Sequence, residues 1–327
     1  MWGMTEPLVA TIERGPVERA RAPEPRATGG GMLQALVVVC GFWWFATGIT
    51  IAMQRSEETR LAGALIATAL GAAGLWLLVA ARDEETPRGA LRSFLGGALL
   101  WGWVSALFYG GWVMGPHLGD GGTQLSMWEM ARRAEGATLY SDLLALALIV
   151  VAVRLTRGAP NRVGLWTLVL FWGAHQTAKL NVFFGVRNAG AEMLPTRLAF
   201  LRSFFGPAHN SPLLPVTLLA LAMLAVWLFW RARASDSAFR RQANLLLAIL
   251  VALALLEHVV LGINGSLPLW EMFVRMREGC SGGQLPMPPP PDRGSPRPRA
   301  AAGICFSYST AAAVRLLTPS FWKRFWV

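Results

Sequence analysis

The stretch FWGAHQTAKLNVFFGVRNAG, residues 171–190, carries polar side chains within a run that otherwise suits a membrane-spanning helix. Its first polar residues are His175, Gln176, Lys179 and Asn181. At about 100° of rotation per residue, Trp172, His175, Gln176 and Lys179 share one arc of this helix, while Thr177 and Asn181 form a second strip. A lysine that faces acyl chains is costly, so the sequence predicts that the first arc faces the interior of a helix bundle.

The composition of the chain is that of a membrane protein. Of the 327 residues, 54% are hydrophobic and only 15% are charged, whereas a soluble domain carries about 25% charged residues. The hydrophobic residues form long blocks separated by arginine-bearing gaps. The net charge of +11 is spread over these gaps. This pattern favours membrane lipids as partners and excludes the basic patch typical of nucleic-acid binding.

Seven runs of about 20 apolar residues predict an all-α, polytopic integral membrane protein. The predicted spans are residues 32–53, 61–81, 93–116, 137–153, 163–186, 213–230 and 244–263. Basic residues in short loops favour the cytoplasmic side of a membrane. The amino-terminal tail and the alternate gaps that follow it carry 14 arginines, and the opposite gaps carry seven. The sequence therefore predicts a cytoplasmic amino terminus.

The segments outside the spans divide the chain into three parts. Residues 1–31 lack the apolar core of a secretory signal, and we expect a disordered cytoplasmic tail. Residues 32–275 form the transmembrane domain, in which residues 194–206 are predicted to be an interfacial helix because their leucines and phenylalanines share one side. Residues 279–327 are rich in proline and glycine and are predicted to form a low-complexity extension.

Small and aromatic residues crowd the second and third spans. Small residues recur every four positions at Gly63, Ala67 and Gly71, and again at Ala98, Gly102, Ala106 and Gly110. Such ridges predict close helix contact, within the chain or with a partner. The third span also holds Trp101, Trp103, Tyr109 and Trp112. These rings either pack within the bundle or line a surface for a flat ligand.

Lys179 needs a partner, because helical side chains lean toward the amino end and would carry its ammonium group toward the bilayer centre. The seventh span offers Glu257 at a similar depth, and we predict an ion pair between the two. The predicted intramembrane polar site consists of His175, Gln176, Lys179, Asn181, Glu257 and His258. Asp142, near the start of the fourth span, either belongs to this polar network or caps that helix in the headgroup region, and the cap is favoured.

Three uses are open for His175. It can form an interhelical hydrogen bond, or its neutral imidazole can bind the metal of a tetrapyrrole as an axial ligand beside Trp172. It can also belong to a relay of Lys, Glu and His side chains that passes a proton or a substrate. His175 and Trp172 are therefore the candidate pigment-binding residues, and the pattern itself fixes no cofactor.

The sequence gives little support for catalysis or for metal binding. It contains no HExxH sequence and no phosphate-binding glycine loop. Its three cysteines, Cys40, Cys280 and Cys305, form no CxxC or CxxCH motif. We expect no enzymatic activity and no metal-ion site, and we find no internal duplication of the kind that many secondary transporters show.

Three stretches resemble the PuhE-type family of photosynthetic complex assembly proteins of anoxygenic phototrophic bacteria. They are LLWGWVSALFYGGWVMGP (99–116), FWGAHQTAKLNVFFGVRNAGAEMLP (171–195) and LLEH (255–258). The resemblance spans about residues 32–275, and the segments before and after depart from the family pattern. The matching polar residues are His175, Gln176, Lys179, Asn181, Arg187, Asn188, Glu192, Glu257 and His258.

The resemblance implies a non-enzymatic assembly or accessory factor in the bacterial inner membrane, either cytoplasmic or intracytoplasmic and photosynthetic. Such a factor would help the reaction centre and the light-harvesting antenna to accumulate, or would influence bacteriochlorophyll supply. Its implied partners are reaction-centre or light-harvesting subunits or other assembly factors, and its implied ligand is bacteriochlorophyll or a precursor. The alternative hypothesis is a polytopic transporter or a membrane enzyme that handles a tetrapyrrole.

Overall fold

A computed structural model describes residues 29–122, 124–263 and 271–278. These residues form α-helices and short 3-10 helices, without a strand among them. The α-helices are α1 (Gly29–Ala52), α2 (Glu57–Ala80), α3 (Pro87–Tyr109), α4 (Met127–Leu155), α5 (Val163–Phe184), α6 (Leu213–Ala234), α7 (Ala238–Gly262) and α8 (Glu271–Glu278). Two 3-10 helices, Ala191–Met193 and Thr196–Phe204, lie between α5 and α6. The predicted carboxyl-terminal extension and nearly all of the predicted tail lie outside the described residues.

The fold is that of a polytopic membrane protein, as the sequence predicts. Each predicted span overlaps one of the long helices α1 to α7, and six of these are long and apolar enough to cross a membrane. The exception is α5, which has 22 residues but carries the polar residues of the stretch quoted first. It packs against α3, α4, α6 and α7, so protein surrounds much of it.

Hydroxyl residues determine where several helices begin. The side chains of Ser56, Thr86, Ser126 and Ser237 accept hydrogen bonds from backbone N–H groups in the first turns of α2, α3, α4 and α7. These caps satisfy donors that a helix start leaves free. The cap at Ser126 starts α4 ten residues before the predicted span, which begins at residue 137. Asp142 therefore lies in the middle of α4, and its predicted role as a helix cap is wrong.

The loops gather at opposite ends of the bundle in the predicted alternation. At one end, the side-chain amide of Asn161 donates hydrogen bonds to the carbonyl oxygens of Ala81 (2.9 Å) and Glu84 (3.1 Å), which joins the α4–α5 and α2–α3 loops. At the other end, Arg60 donates to the carbonyl oxygen of Gly110 (2.9 Å). The assignment of the first end to the cytoplasm stays a prediction.

Glycines bring α2, α3 and α5 into backbone contact. A Cβ atom built on Gly74 of α2 would lie 2.9 Å from the carbonyl oxygen of Gly96 on α3. A Cβ on Gly97 would collide with the carbonyl oxygen of Gly164 on α5. The prediction of close helix contact in this region is confirmed within the chain, but most of the closest contacts lie outside the predicted ladders. Gly102, a member of one ladder, faces Phe42 of α1 instead.

The 3-10 helix Thr196–Phe204 covers one end of the bundle. Its residues Leu198, Leu201 and Phe204 are buried against Phe108 of α3 and Ala137 of α4. The apolar side that the sequence indicates is therefore packed on protein. Its predicted place at the membrane interface stays a prediction.

Replacing Gly97 by alanine is expected to destabilise the protein, because its methyl group must push α3 and α5 apart. Overpacking of this kind costs about 1–3 kcal/mol, which thermal unfolding in detergent would report as a lower melting temperature. The matched control is Gly41→Ala in α1, where no other atom lies within 4 Å of the added Cβ. Equal melting temperatures for the two variants would contradict the packing described.

Candidate functional site

A cavity of about 800 Å³ lies among α1, α3, α4, α5 and α7, next to the segment that joins α5 to α6. Most of its lining is apolar, with aromatic rings from α1, α3 and α5 and from the segment that joins α5 to α6, including Trp43, Trp101, Phe108, Phe171 and Phe205. Ionisable side chains also line it, among them Glu135, Asp142, His175, Lys179, Glu192 and Glu257. Its volume lies within the range of about 300–1,000 Å³ that is usual for small-molecule sites.

Lys179 binds three oxygen atoms of α4. Its ammonium nitrogen lies 2.8 Å from Oδ2 of Asp142, 3.1 Å from Oε2 of Glu135 and 3.2 Å from Oγ1 of Thr138. The side chains of Lys179 and Asp142 are only 19% and 15% exposed. A charge pair with this little contact to solvent is weakly screened, so it holds α4 and α5 in one register.

Asp142 is engaged through both carboxylate oxygens. Its Oδ2 accepts from the hydroxyl of Thr138 (3.1 Å) as well as from Lys179. Its Oδ1 accepts a hydrogen bond from the side-chain amide of Gln176. Each of these donors satisfies a lone pair of a charged group that burial would otherwise penalise. Gln176 and Lys179, which the sequence places on one arc, thus converge on a single carboxylate.

The predicted ion pair between Lys179 and Glu257 is wrong. Glu257 accepts a hydrogen bond from the indole N–H of Trp43 on α1, while Lys179 faces α4. The sequence prediction began α4 too late, so it left out Glu135, overlooked Thr138 and favoured a helix cap for Asp142. Their spacing of three and four residues, which places them on one face of a helix, was the signal that could have found them.

A second polar strip connects α5 to α6 and α7. Nε2 of His258 lies 3.0 Å from the hydroxyl of Thr177, and Nδ1 of His258 donates to the carbonyl oxygen of Ala254 (2.8 Å). The side-chain amide of Asn181 donates to the hydroxyl of Thr217 (3.0 Å). His258 and Asn181 are fully buried. These residues belong to the predicted polar site, but their contacts are those of interhelical hydrogen bonds.

His175 takes part in neither set of hydrogen bonds, the one between α4 and α5 or the one that connects α5 to α6 and α7. It lines the cavity, with its ring centroid 5.5 Å from that of Trp101 and 6.2 Å from that of Phe108, both on α3. Trp101 in turn stacks on Phe171 of α5, with ring planes 8° apart. Within the described part of the chain, no hydrogen bond connects the His175 imidazole to another residue. The interhelical hydrogen bond, one of its three predicted uses, is therefore made by His258.

The aromatic neighbour of His175 in the cavity is Trp101, and the expected neighbour Trp172 is not among the lining residues. The buried indole nitrogen of Trp172 has no hydrogen-bond partner in the described ranges. Trp101 and Tyr109 line the cavity, whereas Trp103 donates a hydrogen bond to Thr68 (3.1 Å). Among residues 29–122, 124–263 and 271–278, no cluster of His, Cys, Asp and Glu side chains could hold a metal ion.

Comparison with known proteins finds a family and a relative that this chain matches. Residues 31–279 match the family described as "Protein of unknown function (DUF3623)". The chain is also similar to the "Uncharacterized 30.4 kDa protein in puhA 5'region" of Rhodobacter capsulatus. The two are 34% identical over 230 residues, which cover 66% of this chain and 81% of the relative. No solved structure matches the chain.

Paired substitutions distinguish the two partners considered for Lys179. Lys179→Met leaves the carboxylate of Asp142 without its cation, and Asp142→Leu leaves Lys179 with Glu135 as its remaining carboxylate partner. The double variant removes both members of the less exposed pair, so it is expected to be more stable than the sum of the single effects implies. The coupling energy expected for such contacting residues is about 1–3 kcal/mol, measured by thermal or denaturant unfolding in detergent. The comparison cycle pairs Lys179→Met with Glu257→Gln and is expected to be additive within about 0.5 kcal/mol. Stronger coupling to Glu257 than to Asp142 would contradict the geometry.

Proposed function

The chain belongs to the DUF3623 family, and we propose that it is a non-enzymatic accessory factor for the assembly of bacterial photosynthetic complexes. The observation that carries the proposal is the relative in Rhodobacter capsulatus, whose description places it in the puhA 5' region. The resemblance of the stretches around residues 99–116 and 171–195 to photosynthetic complex assembly proteins agrees with this placement.

The arrangement of charges supports a factor that binds and holds other molecules. The ammonium group of Lys179 is neutralised by carboxylates of α4, and the carboxylate of Glu257 accepts the indole N–H of Trp43. These contacts fix helices to one another and leave an apolar cavity between them. A site with this lining suits an apolar ligand or the side chains of a partner helix better than it suits an ion or a water-soluble metabolite.

The outer faces of the bundle supply surface for partners in the membrane. Helix α2 exposes large apolar side chains along its length, among them Leu65, Ile66 and Trp76. Apolar side chains of this kind contact lipid in a membrane protein. We propose that subunits of the reaction centre or of the light-harvesting antenna, or other assembly factors, share these faces with lipid. The membrane is then the bacterial inner membrane, cytoplasmic or intracytoplasmic.

Deleting the gene of the relative in Rhodobacter capsulatus tests the function directly. We expect a several-fold fall in assembled photosynthetic complexes, measured from the near-infrared absorption of isolated membranes, and recovery when the present chain is supplied. The physical reason is that unassembled pigment-binding subunits, whose helices lack their partners, are removed by proteolysis.

The matched variants for complementation are Lys179→Met, which breaks the α4–α5 ion pair, and Leu65→Ala, which removes an exposed side chain of α2. We expect Leu65→Ala to restore the complexes and Lys179→Met to restore them poorly, with protein levels measured by immunoblot. Unchanged complexes and unchanged pigment in the deletion strain would refute the proposed function.

A further inference from the structure

We propose that the cavity binds one planar metal tetrapyrrole and that the imidazole of His175 is the axial ligand of its metal. The inference deepens the proposed function, on which it rests, because it names the ligand class of the cavity. It depends on three features of the cavity: the unbonded imidazole, the aromatic wall beside it and the small residues around it.

The first feature is an imidazole in an apolar cavity without a hydrogen-bond partner in the described ranges. A neutral imidazole carries a lone pair on one nitrogen, and leaving it unused in an apolar site is costly. His258 shows the alternative, since both of its nitrogens are within hydrogen-bond distance of oxygen atoms. Binding to a metal uses the lone pair of His175 and requires no change in protonation. The coordinate bond replaces a solvent ligand of the metal, and no electron is transferred.

The second feature is the aromatic wall. Trp101 stacks on Phe171, and the rings of Trp101 and Phe108 both lie against His175. Aromatic faces and edges of this kind pack well against a flat conjugated macrocycle. Both rings lie within about one ring diameter of the imidazole and restrict the orientations open to it.

The third feature is the small size of the α5 side chains next to His175. Ala178 follows it by about one turn and, at about 100° per residue, lies about 60° from it around the helix, while Ala174 lies about 100° from it on the same side. Both alanines line the cavity. Small side chains beside an axial ligand allow a macrocycle to approach the helix closely. At about 800 Å³ the cavity falls near the upper end of the usual ligand sites, as a large ring requires.

Zinc protoporphyrin IX is a suitable probe because its metal takes a single axial ligand. Titrated into the full chain in mild detergent, it is expected to bind one molecule per chain with the red-shifted absorption of a nitrogen-bound metal. Metal-free protoporphyrin IX is expected to bind the wild type about tenfold more weakly. His175→Ala is expected to weaken binding of the zinc probe by about the same factor, and added imidazole is expected to restore the shift.

Two further variants separate ligation from a general loss of structure. Ala178→Leu fills the space beside His175 on α5 and is expected to abolish binding of both porphyrins. His209→Ala removes an exposed histidine of the α5–α6 loop and is expected to leave binding unchanged. Melting temperatures of all variants are measured alongside, and imidazole rescue of His175→Ala shows that the cavity of that variant is intact.

Several outcomes would overturn the inference. These are equal binding of the zinc and metal-free probes by the wild type, equal binding of the zinc probe by wild type and His175→Ala, and tighter binding of a short-chain quinone than of the zinc probe. Any of them leaves the proposed function standing if deletion still lowers the complexes. Conversely, metal-dependent binding with no deletion phenotype would support the site and refute the assembly role.

Discussion

The cost of placing an ammonium group inside a membrane protein governs the arrangement of this bundle. The ammonium group of Lys179 extends from α5 to α4, which supplies three oxygen atoms within 3.2 Å. Gln176, on the same arc of α5, binds the same carboxylate of Asp142. These bonds fix the register of the two helices, and His175, also on this arc, lies against Trp101 and Phe108 of α3 and lines the cavity.

His258 and His175 lie close together in the bundle, but their surroundings differ and so do their contacts. His258 is fully buried, bonded to the hydroxyl of Thr177 and to its own helix, and it ties α7 to α5. His175 sits two residues before Thr177 on the same helix, yet its ring lies against aromatic rings of α3 and lines the cavity. His258 therefore makes hydrogen bonds that join helices, whereas the imidazole of His175 makes none within the described part of the chain and is the ligand-binding group of our proposal.

Helix positions were predictable from the sequence because apolar runs of about 20 residues report directly on membrane spans. Side-chain partners within the bundle were much harder to predict from the sequence, as Lys179 shows. Its choice between Glu257 and Asp142 depends on where α4 begins, and Ser126 starts that helix in a polar stretch that hydrophobicity does not register. The neighbour of His175 was missed for a related reason. Trp172 shares an arc with it on a helical wheel, but the contact with Trp101 of α3 depends on helix packing, which one helix cannot reveal.

Glycine packing connects the rigid part of the fold to the cavity. Gly97 of α3 and Gly164 of α5 touch through their backbones, and Trp101 follows Gly97 by one turn while His175 lies three turns beyond Gly164. Two helices in backbone contact have little freedom to slide or separate, because close-packed interiors resist small displacements. The distance between the Trp101 and His175 rings is then set by the helix pair and not by a ligand. An imidazole held at a fixed distance from an aromatic wall pays little ordering cost when it binds, which is the physical advantage of preorganisation.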